Sequence, residues 1–442
     1  MEEILELIES KKVNELHQRL EDINAADFPA LFEKLDEEKV IVIYRLLSKQ
    51  KASEVFAELE PDVQENLISY LTDKELKSVV DQLFLDDATD LIEEMPAYVV
   101  KRILKSIKPE NRKIINELLN YPEDSSGSIM TPEYVDLKEN MTVAQALDRI
   151  KSIGLKKETV YTCYVIDNKR TLIGIVGLRD IVLAERNELI KDIMDTNVIK
   201  VLTVTDKEEV AKMFDKYNYL ALPVVDKEER LVGIITFDDA IDVLQDEVSE
   251  DFEKMAAIQP NEDSYFKTSV FKHARNRIVW LMLLMLTSII TGTIITNYES
   301  AFAAVPILVA FIPMLMDTGG NCGSQSSTLV IRGLATDEIE AKDFLRVWWK
   351  EIRVALIVGI TLAFINGLRI FIQYKNPQLS LVIGITIIIT AMIAKSLGCI
   401  LPMLAKKLKL DPALMASPFI TTIVDTCSVL VFFNIAILIM HL

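Results

Sequence analysis

Five long apolar stretches near the C-terminus restrict this chain more than any other feature of its sequence. They cover residues 278–296, 301–330, 347–372, 379–404 and 412–440. Each provides the roughly 20 residues that a helix needs to cross a bilayer about 30 Å thick. Buried helices of a soluble core seldom run this long without a charged residue. The acidic start, with Glu2 and Glu3, lacks the basic region of a signal peptide. The sequence therefore predicts a transmembrane domain of five helices over residues 271–442.

Positive charge in the connecting loops predicts the orientation of these helices. Basic residues precede the first stretch and lie between the second and third and between the fourth and fifth. They are Lys267, Lys272, Arg275, Arg277, Arg332, Lys342, Arg346, Lys350, Arg353, Lys406, Lys407 and Lys409. Cytoplasmic loops carry an excess of Lys and Arg. We therefore expect a multi-pass protein of the plasma (inner) membrane, with its N-terminal domains in the cytoplasm and its C-terminus outside.

The charge of the chain is divided between its two parts. From Lys267 onward about 15 basic residues face about 9 acidic ones, or roughly +6. The whole chain has a formal net charge of −18, which leaves roughly −24 for the part before Lys267. So acidic a part does not suit nucleic acid, but it does suit cations. The four cysteines have no CxxC spacing and are expected to be reduced.

The part before the membrane predicts two kinds of domain. Residues 1–124 show Leu and Ile at helical spacing, interrupted by frequent prolines, which favours an all-α superhelical domain.

Residues 125–190 and 191–247 alternate short β-branched strands with helices, and the second segment repeats the first. The stretch 164–181 recurs as 223–240, and Ile129-Met130 recurs as Ile193-Met194. A duplication of this length suits a paired α/β module, and its pattern resembles a pair of CBS domains. In that family the cleft commonly binds adenine nucleotides, and Arg179, Asp180 and Tyr219 lie at the matching positions. Ordinary capping and strand packing would also explain these three residues.

An acidic helix is expected to join the paired module to the membrane, within a connecting segment of residues 239–270. Asp239, Asp242, Asp246 and Glu250 fall close to one face. Like charges at this spacing destabilise a helix unless something neutralises them. Either the face is solvated, or cations bridge it to another acidic surface, for which residues 86–90 are a candidate.

Two apolar stretches carry polar groups. Residues 317–325 are rich in glycine, and we expect them to unwind the second helix. In the fifth stretch Ser417, Thr421 and Asp425 are spaced i, i+4, i+8. A carboxylate at a helix centre costs roughly 2.5–3.5 kcal/mol, so it is functional by default. An all-oxygen lining without histidine suits Mg²⁺, Ca²⁺, Mn²⁺ or a monovalent cation. A single carboxylate per chain, doubled by a two-fold axis, suits hydrated Mg²⁺ best.

Three segments carry a resemblance to a known family. Residues 123–135, residues 318–325 and the run 411–414 leading to Pro418 and Asp425 resemble the MgtE family of magnesium transporters. The likeness covers essentially the whole chain. It implies a homodimeric Mg²⁺ channel, with no enzyme activity, that imports Mg²⁺ and is closed by cytosolic Mg²⁺. Membrane lipid and Mg²⁺ are the implied partners, with Mg²⁺ both transported and regulatory, and ATP is a candidate ligand of the CBS cleft.

The resemblance also implies roles for particular residues. Asp425 matches the pore carboxylate, with Ser417, Thr421, Asn321 and Gly320 on the pore wall, and Asp411 matches an acid at the cytosolic mouth. The segment 239–255 matches the plug helix that closes the pore. The sensor carboxylates are matched by Asp86, Asp90, Asp239, Asp242, Glu247, Glu250 and Asp251.

Some positions depart from the family pattern. Asn218 stands where the family often has an acid, and Asp317 stands where a small residue is expected. Lys395 lies inside the fourth stretch, and an unpaired charge there is costly. We expect an Asp317–Lys395 ion pair, with snorkelling of Lys395 to the interface as the alternative.

Other functions are weaker interpretations of the same residues. Transport of Mn²⁺, Co²⁺ or Ca²⁺ would use similar oxygen ligands. An intramembrane aspartyl protease would need Asp317 and Asp425 to share one proton, and the glycine-flanked motif of that class is absent. A CBS-regulated chloride channel would present cationic or hydroxyl donors rather than a lone carboxylate.

Overall fold

Short helices fill the N-terminal part of the chain, as the spacing of Leu and Ile predicts. The computed structural model describes residues 4, 7, 12–261, 265–266, 268–415 and 417–441, and the side chains of residues 300–302 and 417 lie outside that description. The helices from residue 13 to residue 118 are α1 (Val13–Glu21), α2 (Phe28–Phe32), α3 (Glu37–Leu46), α4 (Lys49–Ala57), α5 (Pro61–Tyr70), α6 (Asp73–Val80), α7 (Leu85–Glu94), α8 (Ala97–Ser106) and α9 (Pro109–Leu118), with a 3-10 turn at Ala25–Asp27.

Local sequence signals start these helices, and alternate packing joins them. Pro61 and Pro109 occupy first helical positions, where a missing N–H costs nothing. Thr72 and Glu75 form the reciprocal capping box at the start of α6. Helix α4 packs on α6, α6 packs on α8, and α7 packs on α9. Each short helix thus buries its apolar face against others, and the predicted all-α superhelical domain is confirmed.

The duplicated segment folds as two matching halves. The elements are β1 (Val135–Leu137), α10 (Val143–Ile153), β2 (Thr162–Ile166), β3 (Leu172–Gly177), α11 (Leu178–Leu183), α12 (Ile190–Ile193), β4 (Val201–Leu202), α13 (Lys207–Tyr217), β5 (Ala221–Val225) and β6 (Leu231–Thr236), with a 3-10 turn at Gly154–Lys156. In each half the first strand pairs parallel to the second, and the second pairs antiparallel to the third. The predicted CBS-like pair is therefore confirmed.

Two glycines show how the halves exchange contacts. A Cβ at Gly174 would lie 2.7 Å from the sulfur of Met194, and one at Gly233 would lie 2.7 Å from the sulfur of Met130. Backbone bridges join Ile175 to Asp195 and Thr131 to Ile234 at the same places. The repeated Ile-Met segment of each half therefore packs where only glycine leaves room.

The acidic helix is shorter than the connecting segment predicted for it. Helix α14 runs over Phe237–Met255, so it ends at the expected residue. Residues 256–261 form a turn and extended chain, so the described part of the predicted segment 239–270 is not one continuous helix. Glu253 accepts a hydrogen bond from the backbone of Asn261 and so fixes this turn. The chain divides within α14 into two units, Met1–Leu244 and Gln245–Leu442.

The second unit contains the predicted membrane helices. They are α15 (Val270–Asn297), α16 (Glu299–Ala304), α17 (Ile312–Ala335), α18 (Phe344–Tyr374), α19 (Pro377–Lys407) and α20 (Ser417–Met440), with 3-10 turns at Pro306–Phe311, Ala341–Asp343 and Pro412–Met415. Among the described residues, four segments are long and apolar enough to cross a membrane: Val270–Asn297, Ala341–Tyr374, Pro377–Lys407 and Pro412–Met440. Helix α17 is long enough but more polar, so the count of five spans stays a prediction.

The expected unwinding of the glycine-rich segment is wrong. Residues 317–325 lie within the unbroken helix α17, and the predicted second stretch is interrupted earlier, between Ala304 and Ile312. The glycines of residues 317–325 instead allow neighbouring helices to pack closely. A Cβ at Gly319 would lie 2.7 Å from Cγ2 of Thr390 and 2.8 Å from Oγ of Ser428. Small residues let helices in a membrane approach closely.

The expected Asp317–Lys395 pair is also wrong. The Lys395 ammonium lies 3.7 Å from a carboxylate oxygen of Glu351 on α18 and donates to Oγ of Ser326 at 3.1 Å. Ser326 in turn donates to Glu351 at 2.5 Å. Lys395 is 4 % exposed, which also excludes snorkelling. Asp317 is two and a half helical turns from Ser326, so it lies on the opposite side of α17.

Substitution of Gly398 by alanine tests the close packing of α17 on α19. A Cβ at Gly398 would overlap the carbonyl oxygen of Gly323, whereas one at Gly292 would meet nothing within 4 Å. We expect Gly398→Ala to destabilise the membrane domain by about 1–3 kcal/mol, and Gly292→Ala to leave it unchanged. Thermal unfolding of the purified variants in detergent measures both, and equal stabilities would contradict the packing described.

Candidate cation sites

Acidic side chains from four separate segments gather in the first unit. Helix α7 contributes three in its first turns, α14 contributes two at its start, and the segments before β1 and β2 contribute one each. Their charges lie close enough together to raise one another's pKa values. We call this group the acidic cluster: Asp86, Asp87, Asp90, Glu133, Glu158, Asp238 and Asp239.

Hydrogen bonds hold some of these carboxylates, while others have no donor. Glu133 accepts from the backbone N–H of Leu85 at 2.8 Å, which fixes it at the N-terminus of α7. Asp239 accepts from the hydroxyl of Thr236 at 2.5 Å. Within the described part of the chain, Oδ1 of Asp86 and Oε2 of Glu158 are buried without any hydrogen-bond partner. A buried, unpaired oxygen is costly, so these two atoms call for a proton or a cation.

Burial and mutual repulsion raise the pKa values of the cluster. Burial and the charge of Asp87 raise the pKa of Asp86 to about 7. Burial and Asp86 raise the pKa of Glu158 to about 9. Burial also raises the pKa of Asp239 to about 7, against the hydrogen bond from Thr236 and with the help of Asp86. These side chains therefore hold protons near neutral pH that ordinary carboxyl groups release.

The side chains at the rim of the cluster show the same effect on their pKa values. Burial and Asp239 raise the pKa of Asp87 to about 6. Asp90 is exposed at the surface, yet desolvation and repulsion by Asp86 raise its pKa above the ordinary value. Lys157 is the neighbouring cation, and desolvation lowers its pKa although Glu133 opposes that shift. The cluster thus carries a surplus of negative charge that its own lysine does not neutralise.

The arrangement suits a hydrated cation better than a directly chelated one. In the described ranges, no three His, Cys, Asp or Glu side chains are placed to hold one metal ion. Mg²⁺ keeps several of its waters and is bound through few carboxylates. Hydrogen bonds from those waters could reach oxygens such as Asp86 Oδ1 and Glu158 Oε2.

The sequence anticipated part of this cluster. The predicted residues Asp86, Asp90 and Asp239 are brought together. Glu133 and Glu158 were missed, because each lies in irregular chain with no helical spacing. Asp242 lies further along α14 and is exposed, and Glu247 and Asp251 lie on the same helix.

Two other predicted carboxylates share a lysine in the second unit. The Lys254 ammonium lies 2.7 Å from Glu250 and 2.8 Å from Asp411. Burial alone would lower the pKa of Lys254, but the hydrogen bonds with Asp411 and Glu250 outweigh it and raise that pKa. The end of α14 is therefore joined to the chain just before α20 through Lys254.

The predicted pore residues meet where α17 and α20 pack together. A Cβ at Gly320 would lie 3.1 Å from Cγ2 of Thr421 and 3.8 Å from Oδ1 of Asp425. The hydroxyl of Thr421 donates to the carbonyl of Pro418 at 2.9 Å, which leaves its lone pairs free to accept. Asn321 is exposed beside Gly320 on α17.

Asp425 is a half-buried carboxylate without a protein partner. Among the described residues nothing donates a hydrogen bond to it and no cation pairs with it. Asp317 is exposed on α17 and also lacks an ion pair within that range. The side chain of Ser417, the remaining predicted pore residue, lies outside the description. An unpaired carboxylate among membrane helices needs a ligand or a proton.

A cavity of about 230 Å³ lies between the two halves of the duplicated module. Its lining combines β2, β3, β5 and the segments before β4 and β5: Thr162, Tyr164, Ile175, Ile199, Asn218, Tyr219, Leu220, Ala221 and Pro223. Tyr164 is fully buried, and within the described chain its hydroxyl has no hydrogen-bond partner. Tyr219 thus lies where the sequence predicts, whereas Arg179 and Asp180 are exposed at the start of α11 and do not line this cavity.

Comparison with known proteins covers every part of the chain. Residues 23–124 match the MgtE intracellular N domain family, residues 127–187 and 190–246 match the CBS domain family, and residues 312–435 match the MgtE divalent cation transporter family. The magnesium transporter MgtE of Thermus thermophilus is 36 % identical over 440 residues, which cover 99 % of this chain and 97 % of that protein. The magnesium transporter MgtE of Bacillus subtilis is 32 % identical over 438 residues, with 99 % and 97 % covered.

Solved structures match the N-terminal part. The cytosolic domain of the Mg²⁺ channel MgtE in complex with ATP has a TM-score of 0.52 and 37 % identity, and the match covers 54 % of this chain and 98 % of that one. The soluble part of a magnesium transporter also has a TM-score of 0.52, with 30 % identity and coverage of 55 % and 96 %.

The raised pKa values predict how stability depends on pH and Mg²⁺. Unfolded carboxyl groups have a pKa of about 4, so from about pH 4 to pH 9 the folded cluster binds more protons, and stability without Mg²⁺ falls as pH rises. We expect Mg²⁺ to raise the unfolding temperature of the full chain more at about pH 8.5 than at about pH 5.5, because protonated carboxyls do not bind it. Thermal unfolding with and without Mg²⁺ measures this difference.

Glu158→Gln is the variant that separates the cluster from general charge effects. Without Mg²⁺ at about pH 8.5 we expect it to stabilise the protein by about 1–2 kcal/mol, a value reduced because water screens the site, and to weaken the Mg²⁺ effect. Glu209→Gln, at an exposed position on α13, is the matched control. Equal behaviour of the two variants would contradict a cation site at the acidic cluster.

Proposed function

Because the chain belongs to the MgtE family of magnesium transporters, we propose that it is a Mg²⁺-selective channel that imports Mg²⁺ and is closed by cytosolic Mg²⁺. A member of this family is a transporter and not an enzyme. The observation that carries the proposal is Asp425 on α20, a carboxylate that no described residue pairs with, beside Gly320 and Thr421. A carboxylate and a hydroxyl at this depth suit a cation that crosses the membrane.

The exposed face of α17 supports a homodimer with the pore on its axis. Asp317, Asn321, Gln325 and Thr328 are exposed on the single chain and recur at helical spacing. Lipid cannot satisfy such side chains, so they must face protein or water. A second copy of the chain would enclose this face, and a two-fold axis would bring two Asp425 carboxylates to one ion.

Hydrated Mg²⁺ is the proposed ion because direct ligands are few. Asp425, Thr421 and Asn321 offer one carboxylate, one hydroxyl and one amide per chain. Ca²⁺ takes six to eight oxygen ligands, whereas Mg²⁺ retains its waters. Transition metals would gain from imidazole or thiolate ligands, and among the described residues the cysteine nearest in sequence, Cys427, lies two positions beyond Asp425 on the helix.

Closure by cytosolic Mg²⁺ follows from the acidic cluster. The cluster joins the helical domain to the CBS pair through carboxylates that repel one another. A cation that binds there favours the compact arrangement, and its loss favours separation. Only a difference in affinity between two states shifts their populations, so Mg²⁺ must bind the closed state more tightly. We propose that Asp242, Glu247 and Asp251 on α14 extend this response toward the pore.

The membrane orientation is proposed from the described helix ends. Arg346, Lys350 and Arg353 lie near the start of α18, and Lys406 and Lys407 end α19. All five are therefore expected on the cytoplasmic side, in the plasma membrane, with the C-terminus outside.

The cavity of the CBS pair is proposed to bind ATP. A relative's cytosolic domain was solved in complex with ATP. Here Tyr219 offers a stacking surface, and the unpaired Tyr164 hydroxyl offers a hydrogen bond. Stacking of a base on an aromatic ring contributes about 1–3 kcal/mol.

Asp425→Asn and Asp425→Ala test the pore. We expect both variants to reduce Mg²⁺ influx into proteoliposomes by at least about tenfold, because a lost charge of this kind removes more than about 1.4 kcal/mol of ion stabilisation. Influx is read with an internal Mg²⁺ indicator. Asp337→Asn, an exposed acid after α17, is the matched control and should leave influx unchanged.

The same influx assay, run with other divalent cations, measures the ion selectivity. Influx of Mn²⁺, Co²⁺ or Ca²⁺ equal to that of Mg²⁺ would overturn Mg²⁺ selectivity while leaving a cation channel in place. Unchanged influx in both Asp425 variants, at equal protein content, would refute the pore itself.

Tyr219→Ala tests the nucleotide site. Loss of ring stacking should weaken ATP binding to the full chain by about tenfold, measured by calorimetry. Tyr70→Ala, which removes an exposed ring from α5, should bind ATP like the wild type. Absence of ATP binding by the wild-type protein would contradict the proposed ligand.

A further inference from the structure

A cavity of about 1290 Å³ opens between α17 and α18 in the second unit. Its lining comes from α17 between Asn321 and Arg332, the following loop, the N-terminal part of α18 and one residue of α19. The α19 residue is Lys395, whose buried ammonium is already paired with Glu351 and Ser326. One edge of the cavity, with Asn321, Gln325 and Thr328, belongs to the polar face of α17 that the proposed dimer encloses. The opposite edge, from Arg332 to the N-terminal part of α18, has no assigned part in ion conduction and contains neither Asp425 nor a member of the acidic cluster.

Unpaired cations line this cavity. Arg346, Lys350 and Arg353 are exposed and spaced i, i+4, i+7, so they share one face of α18, and Arg332 faces them from α17. Within the described residues none of the four makes an ion pair. Five basic and three acidic side chains line the cavity.

Two of the three acids are already engaged. Glu351 pairs with Lys395. Asp343 accepts a hydrogen bond from the backbone of Glu340. A neutral N–H does not cancel the charge of Asp343, so Asp343 and Glu338 remain as two carboxylates against four cations. The cavity keeps a surplus of positive charge, and its arginines and lysine lie where an anion would bind.

The other part of the lining is apolar. Leu329 is 61 % exposed on α17, and Val354 and Val358 face it from α18. Trp349, 56 % exposed, lies next to Lys350. Tryptophan is enriched where membrane helices meet the lipid headgroups. A charged end beside an apolar groove at this level fits an amphiphile with an anionic head.

We propose that this cavity binds an anionic phospholipid. Its phosphate lies on Arg346, Lys350 and Arg353, and an acyl chain follows Leu329, Val354 and Val358. Basic pockets between transmembrane helices on the cytoplasmic side bind anionic headgroups. The proposed dimer places a second copy at the α17 edge of the cavity. At the basic end a second copy is a poorer occupant, because the part of the sequence from Lys267 onward has about 15 basic and about 9 acidic residues and brings a further surplus of positive charge.

Lipid titration of the full-length protein in neutral detergent tests this proposal. Native mass spectrometry and thermal unfolding follow the binding of phosphatidylglycerol, of phosphatidylcholine with the same acyl chains, and of inorganic phosphate. The test variant combines Arg346→Gln, Lys350→Gln and Arg353→Gln. The matched control combines Lys406→Gln, Lys407→Gln and Lys409→Gln, which removes three charges from the neighbouring loop.

We expect the wild type and the control to bind phosphatidylglycerol at least about tenfold more tightly than phosphatidylcholine, and the test variant to lose that preference. Arg346→Lys with Arg353→Lys keeps the charge and should keep the preference. Equal binding of both lipids by the wild type would overturn the proposal. So would an equal effect of inorganic phosphate, or a shift of the test variant from dimer to monomer with lipid binding unchanged.

A second measurement needs no charge substitution. Phosphatidylglycerol brominated on its acyl chains should quench tryptophan fluorescence of the wild type more than brominated phosphatidylcholine does. Trp349→Phe should remove most of that difference, because Trp349 lies beside Lys350. Equal quenching by the two lipids would refute the site even if the triple variant fails to fold.

Discussion

Repulsion among half-buried carboxylates is the interaction on which the cytosolic part of this protein depends. Helix α7, the segments before β1 and β2, and the start of α14 each contribute acids to one small volume. In water these side chains would separate. The fold holds them together, so Asp86, Asp239 and Glu158 keep protons at pH values where carboxyls are normally ionised. A cation can replace those protons, which makes the stability of this arrangement a function of cation concentration.

Two different arrangements accommodate charged side chains in the membrane domain. Lys395 and Glu351 are buried and satisfy each other with the help of Ser326, as a buried pair must. Asp425 is left without a partner in the described chain. The first arrangement stabilises the packing of α17, α18 and α19, and the second leaves a carboxylate available to an ion. Close approach at Gly319, Gly323 and Gly398 positions α17 against α19 and α20.

The sequence predicted the features that depend on local pattern. Helical spacing predicted the short helices, and the duplication predicted the CBS pair. Hydropathy predicted five spans, and four segments of the described chain are long and apolar enough to cross a membrane. It failed where the outcome depends on packing between distant segments. Residues 317–325 remain helical because other helices supply contacts that compensate for glycine. Lys395 pairs with Glu351 because the rotation of α17 turns Asp317 away. Glu133 and Glu158 join the acidic cluster from irregular chain, where no periodicity marks a shared surface.

Proton release on Mg²⁺ binding is the most direct measure of the central claim. Calorimetric titration of the full chain with Mg²⁺ at about pH 7, in two buffers with different ionisation enthalpies, counts the protons exchanged. We predict net release of protons, because Asp86, Asp239 and Glu158 ionise when a cation neutralises them. Binding of Mg²⁺ without any release, or with equal release from a chain carrying both Asp86→Asn and Glu158→Gln, would contradict the claim.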